Sequence, residues 1–327
     1  MNDQQTVEVL LATYNGERYL REQIDSILTQ DYADLRVLAR DDGSSDGTVS
    51  ILNEYAERVP SRFRIMPQGS KSGSAKGNFL LLMQETSASY VCFSDQDDVW
   101  LPDKVSKTKQ AVEALESQWG REIPLLAFTD LRVVDDHLRT LHESFWAYET
   151  IEPERIERLA RLLSQNVVTG STAMLNRRLV ELSLRMPSEA FMHDQWVGLL
   201  ASTMGKVGIV RTQTVLYRQH DQNVLGAKKR TKSLAELLQR IRLSDGRKVQ
   251  WEVNQRQARA LLRVHNTELS SKDRDLLNAY LRCGTSPNRF IRVAIFVRYR
   301  FFRVGVIKNV ATVIHLWKLK VSKAQPN

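Results

Sequence analysis

Short apolar runs alternate with helical spacing through the first hundred residues. Residues 7–11 ("VEVLL") form a run of strand length with a polar lead-in, the pattern of a buried strand. Leu20, Ile24, Ile27 and Leu28 recur at helical spacing over 19–29, which predicts an amphipathic helix. Residues 35–39 ("LRVLA") read as the second strand, and "SDGTVSILNEYAERV" reads as a helix entered through a turn, with Ser45 or Asp46 as its N-cap. A short strand "RFRIM", a helix over 77–85 and a strand "YVCF" (90–93) follow. This βαβαβαβ order predicts an α/β fold, Rossmann-like, with a mostly parallel central sheet and helices on both faces. Chemistry in such sheets sits at the C-terminal ends of the strands.

Beyond Val99 the alternation weakens. Residues 103–116 and 152–163 read as helices, "LLAFTDLRVVD" as a strand, and "VVTGSTAMLNRRL" as a turn leading to strand and helix. "FMHDQWVGLLAS" opens another helix, and "VGIV" and "TVLYRQH" read as two strands. From Lys228 the character changes: Ser233 and Glu236 have the spacing of a capping box, and the remainder is helical in pattern and basic. Two domains are expected, 1–227 and 228–327. No repeat or low-complexity tract appears.

Charge sharpens that division. The chain of 327 residues carries a net +9, but residues 228–327 hold 23 Lys and Arg against 6 acids, a balance of +17, so residues 1–227 carry −8. A basic tail on an acidic body points to a polyanionic partner for the tail. "NRFIRVAIFVRYRFFRVGVIKNVATVIHLWKLK" contains no acid; Arg289, Arg292, Arg300 and Arg303 fall on one helical stripe, with Phe290, Val293, Val297, Phe301 and Val304 beside it. A basic amphipathic helix of this kind suits an anionic membrane surface, each Lys or Arg contributing about 1 kcal/mol there. The alternative is a helix packed on its own protein or on a second copy. Nucleic acid is not expected, since no recognition module accompanies the charge. No apolar run is long enough to span a bilayer, the N-terminus lacks the order of a secretory signal, and two cysteines, Cys92 and Cys283, make no disulfide framework. The expectation is a cytoplasmic protein, peripheral at the inner face of the cell membrane.

The candidate chemistry lies at the strand ends: "ATYNGE", "RDDGSSDGT" and "SDQDD". Asp95, Asp97 and Asp98 repel one another unless they meet a cation, and Mg²⁺ or Mn²⁺ takes carboxylate oxygens together with substrate phosphates. The alternative is a solvated turn with Asp98 capping the next helix. Asp41 and Asp42, side by side at a strand end, can accept hydrogen bonds from a nucleobase or ribose. No G-x-G-x-x-G is present, which disfavours dinucleotide binding in the Rossmann manner.

In order and spacing, "LLATYNGERYLREQIDSILTQ", "LARDDGSSDGT", "GSAKGNF" and "FSDQDDVWLPDK" resemble the nucleotide-binding half of a family 2 glycosyltransferase of GT-A fold. "FTDLRVVDDH", "VVTGSTAMLNRRL", "FMHDQW" and "VLYRQHDQNVLG" are similar to its rhamnosyltransferase branch, so the resemblance runs from 7 to 226. It implies that Thr13, Tyr14 and Asn15 line the nucleotide pocket, that Asp42 or Asp41 reads base or ribose, and that Lys76 and Asn78 lie near the nucleotide sugar. It implies Asp95 and Asp97 as the DxD pair, Asp97 as direct metal ligand, His220 as a further ligand and Arg218 at the diphosphate. Asp194 takes the general-base position, and one base without a nucleophilic carboxylate implies inversion. The implied activity is transfer of L-rhamnose from dTDP-L-rhamnose to a surface polysaccharide of O-antigen type or a lipid-linked glycan. The alternatives are transfer of another hexose from a UDP-sugar, and a non-catalytic scaffold that binds glycan or membrane.

Overall fold

The computed structural model describes residues 5–67, 69–220 and 245–319, with the side chains of 245–249 left aside. The chain divides into two compact units. The first comprises residues 1–149, 168–186 and 192–227; the second comprises 150–167, 187–191 and 228–327. The expected boundary at 227/228, the capping box at Ser233 and the end of the "YRQHDQNVLG" motif lie outside the described residues.

The first unit opens with the expected alternation: β1 (Val7–Thr13), α1 (Leu20–Leu28), β2 (Leu35–Asp41), α2 (Thr48–Arg58), β3 (Phe63–Ile65), α3 (Ala75–Glu85) and β4 (Tyr90–Ser94). A two-residue β5 (Val99–Trp100), α4 (Lys104–Trp119), β6 (Leu125–Val134), β7 (Thr140–His142) and α5 (Phe145–Glu149) follow. In the second unit, the helix expected over 152–163 is a 3-10 turn, Pro153–Glu157, and a short α6 (Leu159–Leu162), interrupted where Arg158 is extended. The first unit resumes with β8 (Ala173–Asn176), α7 (Arg177–Ser183), α8 (His193–Met204) and β9 (Lys206–Arg218). "VGIV" and "TVLYRQH" are thus one strand, irregular in register against β6 near Asp130.

Among the described residues the strands form one sheet in the order β3-β2-β1-β4-β8-β6-β9-β5, with β7 on β6. Its first half is parallel, as the alternation predicts, and its core is the apolar run of β1, β2 and β4 against α1 and α2. The second half is mixed: β8 runs antiparallel to β4 and β6, while β9 is parallel to β6. The pairing of Thr13 with Asp41, and of Leu11 with Ser94, puts three polar loops at one rim. β5 pairs with β9, Trp100 opposite Val215, so the acidic loop between β4 and β5 is tied to the strand that ends at Arg218.

The second unit carries α9 (Asp245–His265), α10 (Ser271–Thr285), α11 (Arg289–Arg298) and α12 (Val306–Lys318). The single basic stripe expected over 289–304 does not form. The helix stops at Arg298, Arg300 and Gly305 take left-handed backbone at φ 54° and 95°, and Phe301 and Val304 are buried in the turn. Arg292 points inward, 2% exposed, donating to the carbonyls of Leu316 at 2.7 Å, Ser286 at 2.7 Å and Leu319 at 3.1 Å. It caps the C-terminal end of α12, where carbonyls lack helical partners. Both cysteines are free and buried. Among the described residues no helix is long and apolar enough to cross a membrane.

Gly205 joins α8 to β9, and a Cβ there would stand 2.0 Å from the Pro124 carbonyl oxygen, which accepts the bond that starts the β6–β9 ladder (Lys206 N–H, 2.9 Å). Gly205→Ala should cost about 1–3 kcal/mol, read as a lower urea midpoint; an unchanged midpoint would show that this junction relaxes freely.

Candidate active site

The first two rim loops are clasped together. Asn15 N–H donates to Ser44 Oγ (2.8 Å), Ser45 N–H to Asn15 Oδ1 (2.8 Å), Glu17 N–H to Asp46 (3.1 Å) and Gly47 N–H to Glu17 (2.8 Å). Asp46 also accepts from Thr48 N–H, while the N-cap position itself is Gly47, so the side-chain cap expected from Ser45 or Asp46 is replaced by this looser bond. Gln96, from the acidic loop, mimics a backbone partner: its amide accepts Tyr14 N–H at 2.7 Å and donates to Tyr14 O at 2.9 Å. Gly16 is required for that contact, since a Cβ there would lie 2.3 Å from Gln96 Oε1. Neither Gln96 nor Gly16 was singled out by sequence, although "YNG" beside "DQD" carried both.

The structure revises what Asp41 and Asp42 do. Asp41 accepts from Gly43 N–H, Ser44 N–H and Thr13 Oγ1. Asp42 accepts from Arg40 at 2.9 Å and from the N–H groups of Ser72 and Gly73. Burial pushes the Asp42 carboxyl up, but these bonds outweigh it and hold it below the ordinary range. At 8% and 7% exposure, both carboxylates build the loops, and a nucleotide would meet groups already accepting protein hydrogen bonds. Asn78 is likewise 2% exposed, bonded to Arg40 and to the carbonyls of Thr13 and Arg40. Thr13 is buried; Lys76 is half-buried on the first turn of α3; Tyr14, 55% exposed, and Asn15 face solvent.

The acidic loop is held by its backbone. Gln23 on α1 donates to Ser94 Oγ (2.7 Å), which donates to the carbonyl of Asp95 (2.9 Å). Asp97 Oδ2 lies 2.9 Å from His220 Nε2, which brings together two of the three expected metal ligands. His220 packs on Tyr19, the ring planes tilted by 35° and the centroids 5.0 Å apart. Burial, then the carboxylates of Asp97 and Asp194, push Asp95 up to about 7. Burial and the same loop's Asp97 and Asp95 hold Asp98 well above the carboxylate range. Asp98 is wholly buried and accepts Arg218 N–H at 3.2 Å; it does not cap α4, whose N-cap is Asp103. The Tyr217 hydroxyl is raised as well, by burial and then by Asp98 and Asp95.

Arg218 departs from expectation. It is 1% exposed, and its guanidinium donates to the carbonyls of Asp97 (2.9 Å) and Asp136 (2.6 Å) and to the carboxylate of Glu22, while lying 4.3 Å from the Tyr19 ring centroid. It buttresses the acidic loop from behind and is not presented to a diphosphate. Among the described residues Asp95, Asp97 and His220 also do not close into a three-ligand cluster. The Asp97–His220 pair nevertheless fits a hard cation of the kind that keeps positions for phosphate oxygens.

Asp194 stands in the first turn of α8, half-buried, where the helix dipole favours a carboxylate. Met192 holds the N-cap position without a side-chain bond, and the Asp194 carboxylate takes a first-turn N–H instead. Its Oδ1 accepts Gln195 N–H at 2.6 Å. The turn at Gly170 seats against it: a Cβ on Gly170 would lie 2.8 Å from His193 Nε2 and 3.6 Å from Asp194 Cβ. His193 packs between Phe79 (4.0 Å) and Phe93 (4.7 Å), and burial pushes its imidazole down to about 3. The "SDQDD", "TGS" and "HDQW" segments therefore meet at one place.

Residues 8–184 match the profile of glycosyl transferase family 2. The chain belongs to that family. It is 28% identical over 225 residues to the dTDP-rhamnosyl transferase RfbG of Shigella flexneri, covering 66% of this chain and 74% of that one. Over 103 residues it is 30% identical to the UDP-Glc:alpha-D-GlcNAc-diphosphoundecaprenol beta-1,3-glucosyltransferase WfgD of Escherichia coli, covering 32% of this chain and 39% of that one. The crystal structure of S. aureus TarS 1–349 superposes with a TM-score of 0.55 at 14% identity, over 96% of this chain and 81% of that one, which shows a shared fold. The protein is a glycosyltransferase of GT-A-type α/β fold, similar to the rhamnosyltransferase branch of its family.

A neutral buried His193 links folding to pH. The unfolded imidazole takes up a proton below about 6.5 while the folded one does not until about 3, so stability falls as pH drops through that window. From pH 6.5 to pH 5 the loss is about 2 kcal/mol. His193→Gln should flatten this part of the urea-midpoint profile; identical slopes would show that His193 is protonated when folded.

Proposed function

We propose that the protein is a metal-dependent inverting glycosyltransferase that moves L-rhamnose from dTDP-L-rhamnose onto a surface polysaccharide of O-antigen type or its lipid-linked precursor. The observation that carries this reading is that Asp194, seated beside the Gly170 turn at the start of α8, stands near enough to Asp95 for its charge to add, after burial and Asp97, to the upward push on the Asp95 carboxyl. A cluster of carboxylates so placed has two uses in sugar transfer. Asp97, with His220, would hold a divalent cation, Mg²⁺ or Mn²⁺, which when bound supplies positive charge to a leaving diphosphate. Asp194 is the base: it takes the proton of the acceptor hydroxyl as that oxygen attacks the anomeric carbon from the face opposite the diphosphate.

The remaining residues position these groups. Arg218 fixes the Asp97 backbone, Tyr19 packs on the His220 ring, and Gln96 holds Tyr14 while Ser44 and Ser45 hold Asn15 at the mouth of the proposed nucleotide pocket. With one base and no second carboxylate acting as nucleophile, the displacement is single and the anomeric centre inverts. The rhamnosyl donor is supported by the similarity to RfbG across most of both chains. A UDP-sugar donor is favoured by a narrower observation, the similarity to the UDP-Glc-dependent WfgD over about a third of this chain. The enzyme would work in the cytoplasm at the inner face of the membrane, where lipid-linked acceptors lie.

Turnover of dTDP-rhamnose and of a UDP-hexose panel, read by mass shift on a mixed acceptor pool, separates the two donors; a deoxyhexose increment is expected. Asp194→Asn should lower transfer by about 10²–10⁴-fold and leave dTDP binding by calorimetry within a few-fold. Chelation should abolish transfer and Mn²⁺ restore it. Equal turnover in wild type and Asp194→Asn would remove Asp194 as the base.

A further inference from the structure

Twelve large apolar side chains are exposed among the described residues, and eight of them fall on α11 and α12: Phe290, Ile291, Val297, Val306, Ile307, Val310, Ile314 and Trp317. On α12, Val306, Val310, Ile314 and Trp317 recur at three- and four-residue intervals, which puts them on one helical face, at 78%, 51%, 40% and 39% exposure. The opposite side of the helix is spent on packing, with Ala311 and Leu316 buried. Phe290 meets Trp317 edge-on at 5.0 Å, so the exposed residues of α11 continue the same surface. The Arg289 guanidinium lies over Trp317 at 4.6 Å, and Arg298 at the end of α11, Arg300 in the turn and Lys318 at the end of α12 are exposed. From residue 276 to the last residue the chain contains no Asp or Glu.

We propose that this face of α11 and α12 docks on an anionic phospholipid bilayer, with α12 lying flat in the headgroup region. Apolar residues in a row, a Trp at their end and basic side chains at the margin are what an interfacial helix presents. Thirteen residues of helix extend about 20 Å, too short to cross the roughly 30 Å hydrocarbon core, so the helix lies on the membrane. Charge complementarity selects the lipid over a second copy of this chain. A two-fold interface through the same patch sets like surfaces against each other, which here means Arg289, Arg298, Arg300 and Lys318 against the same four, with no acid on α11, on α12 or in the turn between them to meet them. Anionic headgroups supply the negative charge and acyl chains the apolar partner. The docking inference rests on the proposed function only in making the acceptor lipid-linked.

The test is flotation of the full-length protein with phosphatidylglycerol/phosphatidylcholine vesicles and with pure phosphatidylcholine, at low and high salt. Wild type should float with the anionic vesicles, and high salt should weaken the binding. The variant Val310→Glu/Ile314→Glu, altered only at exposed positions, should partition at least about tenfold more weakly with an unchanged circular dichroism spectrum. Trp317→Ala with Arg289→Gln gives the same reading without adding charge. Donor hydrolysis in vesicle-free solution should be the same in all forms. If wild type fails to float with anionic vesicles, if the Glu variant floats equally well, or if wild type instead forms a dimer that the variant dissolves, the proposal is wrong. Flotation as expected with no sugar transfer from any donor would sustain the docking face and remove the transferase reading.

Discussion

Three carboxylates in four residues stay together on this rim because their backbone is held independently of their charge. Arg218 is the centre of that hold. Its guanidinium is buried behind the acidic loop and donates to the carbonyl oxygens of Asp97 and Asp136 and to Glu22, not to the carboxylates of the loop itself. The Gln23–Ser94–Asp95 chain and the Gln96–Tyr14 amide pair hold the other side. Fixing carbonyls does not pair the loop's carboxylates with the guanidinium, and burial first, then the mutual repulsion of the loop's carboxylates, keeps the Asp95 and Asp98 carboxyls elevated. A turn braced by its carboxylates would have spent that charge on the protein.

The sheet is what delivers these braces. Parallel β1, β2 and β4 end at one rim, while β9 runs parallel to β6 and pairs through β5 with the acidic loop, bringing residues 218 and 220 to a loop more than a hundred residues earlier. The mixed second half therefore has a consequence a wholly parallel sheet lacks. It returns the chain across the loop that leaves β4, and the return strand carries both the Arg that fixes Asp97 and the His that contacts it.

The parallel half was legible in the sequence because continuous apolar runs and helical spacing are local signals, and β1, β2 and β4 are buried almost throughout. What was hidden was long-range. β5 has two residues and no pattern of its own; it exists because β9 passes beside it. Asp42 reads as ligand-facing from its place at a strand end and Asn78 from the family resemblance, yet both bond to Arg40, whose charge cannot be paired with them from spacing alone. Asp194 was placed by motif, and its neighbourhood could not be: the coupling to Asp95 arises from a helix that starts a hundred residues away. Gln96 was overlooked because an amide between two acids looks like a spacer until the Tyr14 backbone is seen against it.

Arginine was misread twice for one physical reason. Sequence counts a guanidinium as a surface charge, but its five donors also make it the side chain best able to satisfy several carbonyls at once. Arg218 does this behind the acidic loop, and Arg292 does it at the end of α12. The basic stripe drawn through α11 therefore dissolves, and the amphipathic surface reappears on different residues, with Val310 and Ile314 outward where a straight-helix projection from Arg289 did not look. A break at Arg300 and Gly305 is enough to rotate the second helix independently of the first. Charge content survives such a break and face does not, which is why the basic character of the tail was legible in composition while its exposed apolar face was not.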